Sequence, residues 1–161
     1  MIGTIEKILR ERYGDPVVVP MTSGAEYRWN QQNESWRCVL YKAADLLTST
    51  TLVSGPLRRI YGDIVGGSLL LDSLKVATIR QTDIYGLYTL GDLSMQPEVA
   101  DAKRIDSAIE FFMDASNVWF YGVKENELYV YDSGTCKLDT LGPIEEAVSQ
   151  LLEEWEQTHS S

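Results

Sequence analysis

Helical and strand-like hydrophobic periods both occur in this chain and segregate along it, which predicts an α+β fold: a central, mostly antiparallel sheet packed by N-terminal, middle and C-terminal helices. Three observations carry the prediction. Apolar residues recur at helical spacing near both ends, and residues 109–138 alternate short apolar runs with turn-forming stretches. No repeat and no long Pro/Gly/Ser linker divides the 161 residues, 44% of them apolar, so one domain over residues 1–161 is expected.

The first helix is read at residues 4–13. Ile5, Ile8, Leu9 and Arg12 share a face, Thr4 is the candidate cap, and Gly14 with Pro16 ends the pattern. Val17, Val18 and Val19, held between two prolines, suggest a short extended segment, and Tyr27 with Trp29 begin another. Residues 36–47 fit a helix through Trp36, Val39, Leu40, Ala43 and Leu47, with a strand over 36–41 as the open alternative. Pro56 suits the first turn of a further helix, in which Leu57, Ile60, Tyr61 and Ile64 repeat at three and four residues until Gly66 and Gly67 stop it. Residues 68–71 and 76–79 are apolar runs fit for partly buried strands. A similar segment follows at 84–88, then a loop or a single helical turn at 90–93.

Residues 109–113, 118–123, 128–131 and 136–138 read as an antiparallel meander, because the stretches between them have hairpin length and turn chemistry. A helix over 105–113 stays open, since Ile105, Ile109, Phe112 and Met113 match that period too. In the second strand Trp119, Tyr121 and Val123 fall on one face and Val118 and Phe120 on the other. Bulk on both sides marks a central strand, covered by helices on one face and by loops or a partner on the other. The closing helix is the strongest element: Gly142-Pro143 sets its start, Glu145 and Glu146 complement its dipole, and Ile144, Val148, Leu151, Leu152 and Trp155 form one stripe. Burying such side chains contributes about 1.5–3 kcal/mol each, so this helix is expected to dock on the sheet with Trp155 as its anchor.

Charge divides unevenly. Residues 1–104 hold 12 acids and 12 bases, whereas residues 105–161 hold 12 acids against Lys124 and Lys137, which places the whole net charge of −10 in the last third. Nucleic acid and anionic membranes are disfavoured as partners, and a basic protein is favoured. The charged N-terminal stretch and the lack of a long apolar run lead to the expectation of a cytoplasmic protein.

Chemistry is sparse. His159 is the sole histidine, so a hydrolytic triad has no base near the core, and two cysteines, Cys38 and Cys136, do not make a closed zinc set. The loop at 114–117 lacks the acid spacing of an EF-hand, and Gly66-Gly67 lacks a phosphate-loop context. No catalytic residue, metal or cofactor is expected. The rival readings are an enzyme that works with carboxylates alone and a self-associating structural or regulatory protein, through a strand edge or the Trp155 helix. The six residues expected at a partner interface are Asp114, Glu125, Glu127 and Asp132, which flank the meander's turns, with Trp119 and Tyr121 as an aromatic face.

Over residues 56–157 the order of motifs resembles the SUKH superfamily of Smi/Knr-like proteins, which includes bacterial toxin-immunity proteins. The motifs are PLRRIYGDIVGGSLL, IYGLYTLGDL, IEFFMDASNVWFYGV, ELYVYD and LGPIEEAVSQLLEEW. The resemblance implies an α+β fold and a non-catalytic role in binding another protein, commonly the toxin it neutralises. A basic nuclease-type toxin domain would suit the acidic last third. The chain itself is expected to be a monomer or a weak homodimer.

Overall fold

The structure is a computed structural model that describes residues 2–22, 24–43, 55–79 and 86–159. In chain order its elements are α1 (Thr4–Tyr13), β1 (Val17–Met21), β2 (Gly24–Gln32), β3 (Ser35–Ala43), α2 (Gly55–Tyr61), β4 (Gly66–Leu69) and β5 (Leu74–Val76). They continue with α3 (Leu90–Ser94), α4 (Pro97–Ile105), β6 (Glu110–Ala115), β7 (Trp119–Lys124), β8 (Glu127–Asp132), β9 (Lys137–Pro143) and α5 (Ile144–His159). Residues 84–85 of the segment predicted at 84–88 lie outside the described residues, as does the end of the one at 36–47, and residues 86–88 are turn and loop with Gly86 in the left-handed region (φ 80°).

All nine strands form one sheet in sequence order, every neighbouring pair antiparallel. The α+β architecture follows the sequence: helices pack a central antiparallel sheet, and α1, α2 and α5 cover one face. The larger core lies there, with Ile8, Leu9, Trp29, Leu40, Ile60, Tyr121, Val123, Leu128, Val148 and Leu152. A smaller core on the other face joins Phe111, Phe120 and Tyr131 to Leu93 of α3 and to Val99 and Ala102 of α4. Helices therefore cover both sides of β7, where a loop or a partner was expected on the second side.

Strand alternation explains this division except at one point. Phe112 and Met113 are consecutive yet both enter the larger core, because a bulge shifts the β6–β7 register between Phe111 and Met113. Gly122, inside β7, is required by crowding: a Cβ there would stand 2.5 Å from Ile109 Cγ2 and 3.0 Å from the Glu110 carbonyl oxygen.

Four local expectations are corrected. Residues 35–43 are strand, not helix: Cys38 and Leu40 are buried at a two-residue period, while Trp36, Val39 and Tyr41 are half-buried, and apolar groups on both faces imitate helical spacing. Helix α2 ends at Tyr61 with Gly62 in the left-handed region (φ 58°), whereas Gly66 and Gly67 open β4. A Cβ on Gly67 would lie 2.4 Å from the Val39 carbonyl oxygen. The N-cap of α1 is Gly3, and Thr4 Oγ1 instead donates to the Arg59 carbonyl at 3.2 Å. Helix α4 had no counterpart in the sequence reading, and the helical alternative over 105–113 gives way to a helix end at Ile105 and a strand from Glu110.

Candidate functional site

The six residues predicted for an interface do not form one surface. Adjacent turns of an antiparallel meander lie at opposite ends, so Glu125 and Glu127 sit beside the β7–β8 turn while Trp119 and Asp132 sit at the far end of the same strands, roughly 17 Å away. Two of the six are interior. Asp114 is 4% exposed, and its Oδ2 accepts the Asn117 N–H at 3.3 Å, which closes the β6–β7 turn. Burial raises its carboxyl above the usual range, against the opposing pull of the Asn117 N–H and Lys75. Tyr121 is 3% exposed; burial pushes its hydroxyl up to about 12, and the Trp155 indole N–H donates to it. Neither can meet a partner. Glu127 is exposed and accepts from Thr140 Oγ1 at 3.3 Å, while Asp132 Oδ1 accepts the Gly134 N–H at 2.9 Å.

An acid-rich groove of about 810 Å³ lies between α1, the start of α2, the β7–β8 turn and the first three turns of α5. Gly142 in the left-handed region (φ 95°) turns β9 into α5, and the Ile144 N–H bonds the Asn126 carbonyl at 3.1 Å. That bond sets Glu125 next to Glu145 and Glu146. With Glu11 of α1 and Glu153 of α5, five carboxylates line the groove against the guanidiniums of Arg12 and Arg59. Arg12 is committed to Glu156, and Lys7 pairs with Glu145 at 2.7 Å. A concave wall with an excess of carboxylates focuses a negative field outward, which suits a cationic surface.

Two internal networks fix the helices that form this groove. Glu156 Oε2 accepts Arg12 Nε and Nη2 at 2.9 and 2.6 Å and the Tyr13 hydroxyl at 3.1 Å, and its Oε1 accepts Arg37 Nη1 at 2.8 Å. Burial pushes the Glu156 carboxyl up, but those hydrogen bonds and charges outweigh it and leave it below the usual carboxylate range. Beneath α1, the fully buried Glu6 pairs with Arg10 at 2.9 Å and with Lys42 at 2.9 Å, and Lys42 also reaches Asp63 at 3.1 Å. The buried carboxylates are thus held by cations or backbone N–H groups. Cys38 is buried with its thiol pushed up to about 11, so it stays protonated near neutral pH.

Among the described residues no group of three or more His, Cys, Asp or Glu side chains is placed to hold a metal ion, and no helix is long and apolar enough to cross a membrane. Of the predicted residues, only Glu125 lines the groove. Glu11, Glu145, Glu146 and Glu153 were missed as site residues; the available signal was their place on the outward side of amphipathic helices. Comparison of the chain with protein-family models, with curated proteins and with solved structures gives no match.

Proposed function

We propose that this chain is a non-enzymatic protein-binding domain that works inside the cell and presents the exposed side of α5, with the groove beside it, to a basic partner. The carrying observation is the groove: Glu11, Glu125, Glu145, Glu146 and Glu153 converge on one concavity built from a rigid helix pair and a tight turn. Rigid presentation of like charge raises encounter rates with an oppositely charged surface. The resemblance to SUKH proteins supports the finer reading that the partner is a toxin domain neutralised by binding, and an anion-binding nuclease surface is the basic kind such a groove suits.

The test is surface binding against the product of the adjacent gene, at low and at high salt, with the parent and with Glu125→Gln, Glu145→Gln, Glu146→Gln and Glu153→Gln combined. The combined variant should associate more slowly and with a flatter salt dependence, while its circular dichroism is unchanged. Association that matches the parent at low salt would overturn the groove as the interface. A second reading, self-association, rests on β1, an edge strand whose Val17, Val18 and Met21 are all about half exposed. Sedimentation equilibrium that shows a monomer at high protein concentration would remove it.

A further inference from the structure

We infer that the corner between Trp119 and Trp155 receives an arginine side chain of the partner, an inference that rests on the protein-binding reading and gives it an anchor. Trp119 opens β7 directly opposite Asp132 of β8, so the two side chains leave the sheet on the same face with Cβ atoms roughly 4.5–5.5 Å apart. Trp155 descends from α5 onto that face. The two indoles stand at 78° with centroids 5.8 Å apart, which makes two walls of a corner. One wall is fixed, since the Trp155 indole N–H is bonded to the buried Tyr121 hydroxyl.

The corner is incomplete in a specific way. Three other rings carry a cation from the chain itself: Arg12 lies over Tyr13, Lys42 over Tyr27 and Lys124 over Tyr129. Among the described residues no cation lies over Trp119, which is 36% exposed, and none pairs with Asp132, whose Oδ1 is oriented by the Gly134 N–H. An indole face and a carboxylate side by side, with no cation over the ring and no ion pair on the carboxylate among the described residues although Lys137 of β9 stands opposite Asp132 in register, match a guanidinium, which stacks flat on the ring and forks its N–H groups to the carboxylate. An ammonium offers charge but no plane. The site also has the makeup of an interface hot spot, an aromatic anchor in a charged surround.

The probe is N-acetyl-arginine methylamide, with its neutral citrulline counterpart as control, titrated into the ¹⁵N-labelled full chain while the four indole N–H resonances are followed. Arginine should shift the Trp119 and Trp155 signals saturably and leave Trp29 and Trp36 in place, and citrulline should shift none. Asp132→Asn should weaken binding roughly two- to fivefold, the range of an exposed charge pair. Trp119→Leu should abolish the saturable shift at Trp155, and Trp119→Phe should retain part of it. Equal shifts with citrulline, no saturable shift, or binding that persists in a folded Trp119→Leu variant would overturn the inference. Its failure is distinguishable from that of the groove reading. Partner binding that needs the groove carboxylates and ignores Trp119→Leu sinks the corner alone; partner binding that ignores the groove substitutions and is lost in Trp119→Leu sinks the groove alone.

Discussion

Replacing Glu156 by glutamine should loosen the closing helix while changing the side chain's volume very little. The carboxylate takes four hydrogen bonds from Arg12, Tyr13 and Arg37. Glutamine keeps one acceptor oxygen and turns an NH₂ donor onto either Arg37 or the Arg12–Tyr13 side. A charge-assisted hydrogen bond contributes about 1.5–3 kcal/mol, and removing one partner of a buried ion pair costs about 3–5 kcal/mol. The Arg37 side chain is 8% exposed, but Arg12 is 29% and Glu156 19% exposed, so water replaces part of what Arg12 loses. The expected loss is about 2–4 kcal/mol, or roughly 5–15 °C in Tm for a chain of this length. Urea unfolding should show a lower midpoint with an unchanged slope, while Glu146→Gln, at an exposed position of the groove, should stay within about 0.5 kcal/mol of the parent. The sign with pH is fixed: because the folded carboxyl lies below its unfolded value, its stabilisation is complete above the ordinary glutamate pKa of about 4.3 and is lost as pH falls through the folded value. Parent and variant should therefore converge in acid. A variant with the parent's midpoint at neutral pH would refute the clamp.

Three further outcomes follow from the packing. Trp155→Ala should cost about 2–3 kcal/mol, less than a fully buried aromatic because Trp155 is only partly covered, and a denaturant midpoint equal to the parent's would show α5 docked without it. Gly67→Ala should destabilise by about 1–3 kcal/mol, since the new Cβ has no room between the Val39 carbonyl and Leu40; an unchanged Tm would contradict the close β3–β4 approach. Asp114→Asn should leave stability at neutral pH unchanged or raise it. Its folded carboxyl lies above the unfolded value, so the ionised group penalises folding at neutral pH, and the penalty fades as pH falls through the folded value and is gone below the unfolded one. A clear loss of stability at neutral pH in urea titration would mean that the Lys75 attraction outweighs burial.

Helices α1 and α5, each with a single buried face, were legible from their period, and strands β7 and β8, buried on both faces, were legible from short apolar runs bounded by turn residues; the structure places them within a residue or two of the sequence reading. Strand β3 was not, because half-buried Val39 and Tyr41 oppose Trp36, Cys38 and Leu40 and blur two periods into one that looks helical. Helix α4 was invisible for the opposite reason: it buries only Val99 and Ala102, too few to set a period, although Pro97 at its start and Lys103 and Arg104 at its end were readable. The groove needed the third dimension. Glu145 and Glu146 read as dipole partners of their own helix, and their convergence with Glu11 depends on α1 and α5 packing side by side from opposite ends of the chain. Asp114 misled because turn chemistry suggested exposure, while its strand position turned it inward beneath Tyr88.

With helices on both faces of β7, the surface proposed for a partner is the outer side of α5 and the Trp119 end of the sheet beside it, and the charge pairing then decides what that surface looks like from a distance. Arg10, Arg12, Arg37 and Lys42 are spent inside the fold on Glu6, Glu156 and Asp63, so the cations left beside the groove carboxylates are Lys7, paired with Glu145, and Arg59. Glu125, Glu146 and Glu153 remain to set the field around the groove. Such a field acts over about 8–10 Å at ordinary salt, whereas an indole–guanidinium contact acts only after docking. The two features should therefore separate kinetically: groove substitutions slow association and flatten its salt dependence, while Trp119→Leu leaves association nearly unchanged and speeds dissociation. One complex measured at two salt concentrations resolves both, and an effect of Trp119→Leu confined to the on-rate would place that ring in the steering field and not at the anchor.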